Sequence, residues 1–358
     1  MKIPDPNEKS VDILLLPVSG PVGYGEFARC KMIAQASRER WPELSVKLAV
    51  SRAARFVDDV ALDIAPLAAS PTKDLEGVAA LLADFRPRLV IFDNGGRASQ
   101  LRLARAFGST TAYISSRPRS RRRAFSVRRM RNLDEAWLVG DPISQSRTVT
   151  LRERLASRIF PATRHHFMGP VFPTPQAAPN PAAERVGGEY ALFVPGGGAT
   201  GGSDVGALYL NAAEHYVRAT GQEAVVICGP GIDVPQRERA VPVIPFLPPQ
   251  AFANALAGCT LAVTGGGAVV SQALAMDKPV VAAPLGGSDQ GARVRNLAAA
   301  GVLLAAGAQA DELAQQAIRL RRDADLAAAC AKARRALQLE PGLPRVLDRI
   351  AELLGLPS

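Results

Sequence analysis

PVIPFLPPQAFANALAGCTLAVTGGGAVVSQALAMDKPVVAAPLGGSDQGARVRNLAAAG, residues 242–301, alternates short apolar runs with helix-patterned segments. PVIPF (242–246), LAVT (261–264) and KPVVAAP (278–284) read as strands, with helices at about 248–257, 267–276 and 289–300. Nearer the start of the chain, VDILLLPV (11–18) holds a short continuous apolar run, as expected for a buried parallel strand. Strands separated by helices imply right-handed crossovers and a parallel sheet.

The same alternation extends in both directions. Upstream lie a strand, YALFVP (190–195), a helix from Ser203 to about Ala219, and a strand, EAVVIC (223–228). That helix carries Val205, Leu208, Tyr209, Ala212, Ala213, Tyr216 and Val217 on one face. Downstream, the Ala-rich region 309–336 reads as helical, and PRVLDRIAELL (344–354) is amphipathic after Pro341 and Pro344 interrupt the chain. In the first half, the strands are VDILLLPV (11–18), SVKLAV (45–50), RLVIFD (88–93), TTAYIS (110–115), EAWLV (135–139) and HHFMGPVF (165–172). Helices are expected at about 26–40, 73–84 and 98–107, and PTPQAAPNPAAERVGGE (173–189) reads as linker.

The fold class expected is therefore α/β, with two Rossmann-like, doubly wound parallel-sheet domains facing a cleft. The expected division is a first domain at 1–170, a linker at 171–189, a second domain at 190–340, and a terminal helix at 341–358 that packs back on the first domain. A length of 358 residues suits two domains.

Composition narrows the function classes. No apolar run approaches the roughly 20 residues of a membrane span. The start, MKIPDPNEKS, lacks the basic-then-apolar pattern of a signal peptide, so the expected location is the cytoplasm. Cys30, Cys228, Cys259 and Cys330 are scattered and read as free thiols. His165, His166 and His215 are the only histidines, too few and too badly spaced for a metal site, and no D-x-D-like pair is present. Neither a metal nor a cofactor is expected. The net charge of +10 is concentrated in RPRSRRRAFSVRRMR (117–131), which holds eight arginines and no acid.

Three glycine clusters stand where a strand ends and a helix begins: PVSGPVGYGEF (17–27), PGGGATGGS (195–203) and TGGGAVVSQ (264–272). Open α/β sheets bind ligands at such ends. Glycine admits close approach of backbone, and the following helix offers unpaired N–H groups to an anion. Two such turns in one domain suit a diphosphate; a set of plain tight turns is the competing reading. No Gly-Lys-Ser/Thr follows, so neither cluster is a P-loop, and G-P-V-G-Y-G is a poor dinucleotide fingerprint.

With these residues in place, 190–305 resembles the donor-binding half of GT-B glycosyltransferases, especially the bacterial peptidoglycan N-acetylglucosaminyltransferase and its relatives. The likeness rests on a Phe after a strand, the Gly-rich turn, the x-P-x-x-x-x-P run, D-Q and an Asn; in the first half only GYGEFARC (23–30) and the strand order carry it. The resemblance implies a nucleotide-diphosphate sugar as partner, with UDP-sugar the expected donor, and an inverting transfer. It implies that Gly196, Gly197, Gly198, Gly265, Gly266 and Gly267 cradle the diphosphate. Backbone near Phe246 would pair with the base, and Asp289 and Gln290 would face the sugar hydroxyls. Gln272 departs from the family's ribose-binding Glu, and Asn296 lies farther from Gln290 than is usual.

Relatives often carry His where this chain has Glu26. Glu26 is the candidate general base on an acceptor hydroxyl; helix capping by an acidic first-turn residue is the alternative. Asp93, ending RLVIFD, is the competing base, and its Asp-Asn-Gly-Gly context also fits a turn. Arg121, Arg122, Arg123, Arg128 and Arg129 are candidates to grip a lipid-linked or anionic acceptor, or to dock on an anionic membrane at its inner face, with Phe125, Val127 and Met130 inserting shallowly. A solvated basic surface is the plainer reading, and no nucleic-acid-binding module accompanies the patch. Two other functions remain open: a nucleotide-sugar hydrolase or 2-epimerase on the same fold, and a non-catalytic basic binding protein.

Overall fold

The computed structural model describes residues 11–20, 24–54, 62–197, 204–236, 239–287 and 289–357. Two compact units emerge. Unit 1 runs through β1 (Ile13–Pro17), α1 (Gly25–Arg40), β2 (Val46–Ser51), β3 (Asp63–Leu67), α2 (Leu75–Phe85), β4 (Leu89–Asp93), α3 (Ala98–Ala106), β5 (Thr110–Ser115), α4 (Pro118–Ala124), α5 (Val127–Met130), β6 (Glu135–Leu138), α6 (Leu151–Ile159) and β7 (Arg164–Phe167). Its seven-stranded sheet has the order β3-β2-β1-β4-β5-β6-β7, and every pairing is parallel.

Unit 2 begins with α7 (Pro181–Val186) and β8 (Ala191–Val194). It continues through α8 (Val205–Thr220), β9 (Ala224–Ile227), β10 (Val243–Ile244), α9 (Pro249–Gly258), β11 (Leu261–Gly265), α10 (Ala268–Ala275) and β12 (Val280–Ala283). It closes with α11 (Gln290–Ala299), β13 (Leu304–Ala305), α12 (Ala310–Arg322) and α13 (Ala324–Ala336). Its six strands, also all parallel, have the order β10-β9-β8-β11-β12-β13. Both strand orders are those of doubly wound sheets, with helices supplied by the crossovers.

The cores follow from the continuous apolar strands. Ile13, Leu14, Leu15 and Leu16 are wholly buried, as are Val90, Ile91 and Phe92 of the neighbouring β4. In unit 2, Tyr209, Ala212, Ala213 and Tyr216 of α8 pack on Phe193, Val226 and Val263. α14 (Leu343–Leu354) belongs with unit 1. Its Arg349 donates to Glu135 Oε1 at 2.6 Å, Asp348 meets Arg40 at 2.9 Å, and Trp41 Nε1 donates to the Pro357 carbonyl at 3.0 Å.

Several elements depart from the sequence reading. The strand expected over 165–172 stops at Phe167, and Gly169 beyond it adopts φ +79°, outside the extended range; a Cβ there would meet the Glu340 carbonyl at 2.7 Å, so the position requires glycine. The stretch read as linker contains α7, capped by Asn180 Oδ1 accepting from Ala182 and Ala183 N–H. The Ala-rich region is two helices, divided at Asp323, which ends α12 and caps α13 by accepting from Leu326 N–H. β3 and α6 were not expected at all. No helix among the described residues is long and apolar enough to cross a membrane.

Candidate active site

Unit 1 sets its reactive groups where its strand order reverses. β1 lies between β2 and β4, with Pro17 in register with Asp93. Connections leaving the two strands diverge there, and ligands bind at such points. Glu26 stands in the first turn of α1, close to unpaired N–H groups and the positive end of the helix dipole. It is buried. Its Oε1 accepts from Asn94 Nδ2 at 3.0 Å and from Arg117 Nη2 at 2.7 Å. Among the described residues, Oε2 has no partner.

Asn94 is what joins the loops. It sits at φ +53°, a left-handed conformation that Asn tolerates better than most side chains. Its N–H donates to the Ile114 carbonyl at 2.9 Å, and its Oδ1 accepts from Ser116 N–H at 3.0 Å. Its Nδ2 also reaches Ser116 Oγ at 2.6 Å. The ends of β4 and β5 and the start of α1 are thereby fixed together.

Asp93 is fully buried, and both its oxygens are occupied. Arg29, one helical turn beyond Glu26, donates Nε to Oδ2 at 2.8 Å and Nη2 to Oδ1 at 2.7 Å. Cys30 Sγ lies 3.7 Å from Oδ2. Burial pushes the Asp93 carboxyl up to about 6, against the opposing pull of Arg29. Burial also pulls Arg29 down, but the Asp93 charge outweighs it and the net direction is upward. The two sequence candidates thus have different surroundings: Asp93 is locked in a two-point ion pair, and Glu26 is anchored by one oxygen. Arg29, Asn94, Ser116 and Arg117 were not singled out from sequence. Arg29, inside GYGEFARC, Asn94, after an apolar strand, and Arg117, the first residue of the arginine cluster, carried a local signal; Ser116 carried none.

In unit 2 the glycine turns after β8 and β11 meet at the corresponding reversal. A Cβ on Gly265 would come within 2.2 Å of the Pro195 carbonyl oxygen, so only glycine lets these backbones touch. Gly229, at φ +104° after β9, lies against the Gly196 carbonyl in the same way, at 2.3 Å. Among the described residues, nothing comes within 4 Å of a Cβ built on Gly196 or Gly267. Gly267 caps α10, so the free N–H groups of that helix open on the same turn. Thr264 Oγ1 is buried there, with no hydrogen-bond partner among the described residues. Gly198 lies outside the described residues.

The remaining expected donor residues lie on the same edge of this sheet. Phe246 is 41% exposed just beyond β10, and the preceding Pro245 carbonyl accepts from Gly229 N–H at 2.9 Å. Gln272 lies part-buried in α10. Gln290 packs its Cβ 3.0 Å from where a Gly266 side chain would begin, and its Oε1 accepts from Leu285 N–H at 2.9 Å. Asp289 pairs with Arg293 at 2.6 Å. Arg293, not singled out from sequence, also donates to the Gly266 carbonyl at 2.8 Å and so brings a guanidinium to the glycine turn. Asp141, fully buried, accepts from Ser271 Oγ at 2.9 Å and from Ser144 N–H at 2.7 Å, pinning the first turn of α10.

The arginines divide. Arg122, Arg123 and Arg128 are exposed. Arg121 instead is buried, in a two-point pair with Glu153 at 2.7 and 2.8 Å. Arg129 turns inward, donating to the Gly96 carbonyl at 2.7 Å, and its guanidinium carbon lies 5.8 Å from the Tyr113 ring centroid. Phe125 and Met130 are buried in the core, which leaves Val127 alone of the three apolar residues expected to insert. Core packing claims one face of these short helices, and the sequence pattern did not show which. Among the described residues, no group of three or more His, Cys, Asp or Glu side chains converges as a metal site.

No family model matches the sequence, and no curated protein matches it. Solved structures do. The spinosyn forosaminyltransferase SpnP superposes with a TM-score of 0.65 at 16% identity, over 97% of this chain and 100% of that one. Glycosyltransferase VinC, solved in complex with dTDP, gives 0.60 at 13% identity over 96% and 100%. A putative UDP-N-acetylglucosamine 2-epimerase from Listeria monocytogenes gives 0.59 at 14% identity over 96% of each chain. The fold is GT-B. The GT-B likeness covers both units, so the glycine turns of unit 2 and the Glu26 network of unit 1 belong to one such chain.

Proposed function

We propose that this chain is a metal-independent, inverting glycosyltransferase that moves a sugar from a nucleotide-diphosphate sugar, a UDP-sugar for preference, to an acceptor hydroxyl. The observation that carries the reading is the close approach of Gly265 to the Pro195 carbonyl, which brings the turn that begins at Gly196 beside the Gly265–Gly267 turn at the mouth of α10. Backbone amides and a helix N-terminus there suit a diphosphate, and the open positions of Gly196 and Gly267 leave room for one. The negative charge that grows on the leaving nucleoside diphosphate is met by those amides and by the neighbouring Arg293 guanidinium. Among solved relatives of the fold, VinC holds dTDP.

On the acceptor side, Glu26 is the favoured base and Asp93 a positioning residue. Hydrogen bonds to Oε1 fix the carboxylate, and Oε2 takes the proton of the acceptor hydroxyl. The oxygen then bonds to the anomeric carbon as the carbon–oxygen bond to the diphosphate breaks, its electron pair leaving with the nucleotide. Asp93, tied to Arg29, holds α1 against β4. Exposed arginines at the start of α4, Arg117 and Arg119, favour an acceptor that is anionic or carried on a lipid diphosphate.

The test is calorimetric titration with UDP, dTDP and GDP, followed by product analysis with the matching nucleotide sugars. The reading expects one diphosphate to bind, and sugar to stay on the nucleotide until an acceptor is added. The epimerase of the same fold supports a second reading, in which the donor is hydrolysed or epimerised alone. Free nucleotide or an epimer in the absence of acceptor establishes that reading instead.

A further inference from the structure

α6 presents its apolar face to solvent. Its sequence, LRERLASRI, places Leu151, Leu155 and Ile159 at four-residue intervals along one side. Such a stripe normally turns toward the core. Here the three residues are 81%, 58% and 59% exposed, and they make up half of the large exposed apolar side chains among the described residues.

The outward orientation is fixed by the opposite side of the helix. Glu153 and Ala156 face inward. The Glu153 carboxylate is held at both oxygens by Arg121, and it accepts from Thr150 N–H at 2.8 Å while Thr150 Oγ1 accepts from Glu153 N–H at 3.3 Å. Rolling the leucines inward breaks this buried pair and the cap together.

The surroundings of the stripe carry one sign of charge. Arg152, Arg154 and Arg158 flank it on α6, and all three are exposed. The Arg121–Glu153 pair brings α4 alongside, with exposed Arg122 and Arg123. Across residues 116–133 and 142–168 the only acid is Glu153, and it is buried. A second copy of the chain is a poor occupant, because a two-fold interface opposes each arginine cluster to its own image. An apolar stripe in an arginine rim instead complements an anionic lipid surface, which takes the side chains below its headgroups and pairs the guanidiniums with phosphates.

We propose that unit 1 docks through α6 on an anionic membrane, with Leu151, Leu155 and Ile159 inserted and Arg122, Arg123, Arg152, Arg154 and Arg158 on the headgroups. This deepens the lipid-linked acceptor reading, but its test does not depend on transfer activity. The full chain is floated with vesicles of phosphatidylcholine alone and of phosphatidylcholine mixed with phosphatidylglycerol. Wild type is expected on the mixed vesicles only, with binding that falls as salt rises. The triple variant L151S/L155S/I159S changes exposed side chains only, so its melting temperature and nucleotide binding serve as controls for folding. Its vesicle partition is expected to drop about tenfold or more. The variant R152Q/R154Q/R158Q is expected to lose the preference for the mixed vesicles. Failure of wild type to bind anionic vesicles overturns the proposal, and so does a triple variant that binds like wild type. A wild-type dimer that the triple variant dissolves overturns it too, in favour of a second copy as the occupant.

Discussion

Replacing Gly267 and Gly265 one at a time by alanine separates a ligand site from a tight turn. A Cβ on Gly267 meets nothing within 4 Å, and its φ of −83° is open to any L-residue. The variant loses a glycine N-cap and gains a less flexible unfolded chain, so its net stability change stays within about 1 kcal/mol. Yet the new methyl stands at the mouth of α10, where the diphosphate is proposed to lie. Losing one hydrogen bond to a charged phosphate oxygen costs about 1.5–3 kcal/mol, which is roughly 10- to 100-fold in affinity. Gly265 behaves in the opposite sense. Its Cβ would sit 2.2 Å from the Pro195 carbonyl, against 3.4 Å or more for an ordinary contact. The β8 turn must shift by about 1 Å, and overpacking of that kind costs about 1–3 kcal/mol. Urea denaturation read beside calorimetric titration with the tightest-binding nucleoside diphosphate measures both quantities. Gly267→Ala should fold normally and bind weakly; Gly265→Ala should lose stability as well as affinity. A Gly267→Ala protein that binds the diphosphate as wild type does would show that these glycines only shape the turn.

Three further outcomes follow from the geometry. Glu26→Gln should lower kcat by about 100-fold or more while leaving donor affinity near wild type; steady-state kinetics near wild type would remove Glu26 as base. Asp93 rises from the ordinary 3.8 to about 6, so the folded chain holds a proton there that the unfolded chain releases. The stability this contributes is complete below about pH 4 and is lost as pH rises through about 6. The stability gap between wild type and Asp93→Asn should therefore narrow by roughly 3 kcal/mol from pH 4 to pH 7.5; a widening gap would mean that the Arg29 pair outweighs burial. Tyr209→Phe removes a hydroxyl that is buried without a partner among the described residues, so chemical denaturation should find the variant as stable as wild type or about 1 kcal/mol more stable.

The parts legible in the sequence were those with local causes. A continuous apolar run such as ILLLPV (13–18) gave a strand because a strand buried on both faces favours apolar residues throughout. The α8 stripe gave a helix because its period matched one face. Shared glycine turns at strand ends marked Gly196 and Gly265–Gly267 as candidates. β3 escaped because DIAPL is short and holds a proline, and its strand character comes from pairing beside β2 at the sheet edge. α6 escaped for a different reason. LRERLASRI has a helical period, but it carries charge through the stripe and turns its apolar residues outward.

What the sequence by itself determined, then, was the alternation of strand and helix, the two-sheet architecture and the location of the glycine turns, since each depends on residues close together in the chain. Only the tertiary structure decided which charges meet. It took Asp93 out of solvent and gave both its oxygens to Arg29, held Glu26 by one oxygen through Asn94 and Arg117, drew Arg121 inward to Glu153, and set Arg293 beside Gly266. Those pairings join residues from different crossovers, and the energy of a charge depends on what surrounds it after the chain has packed, which no local pattern records.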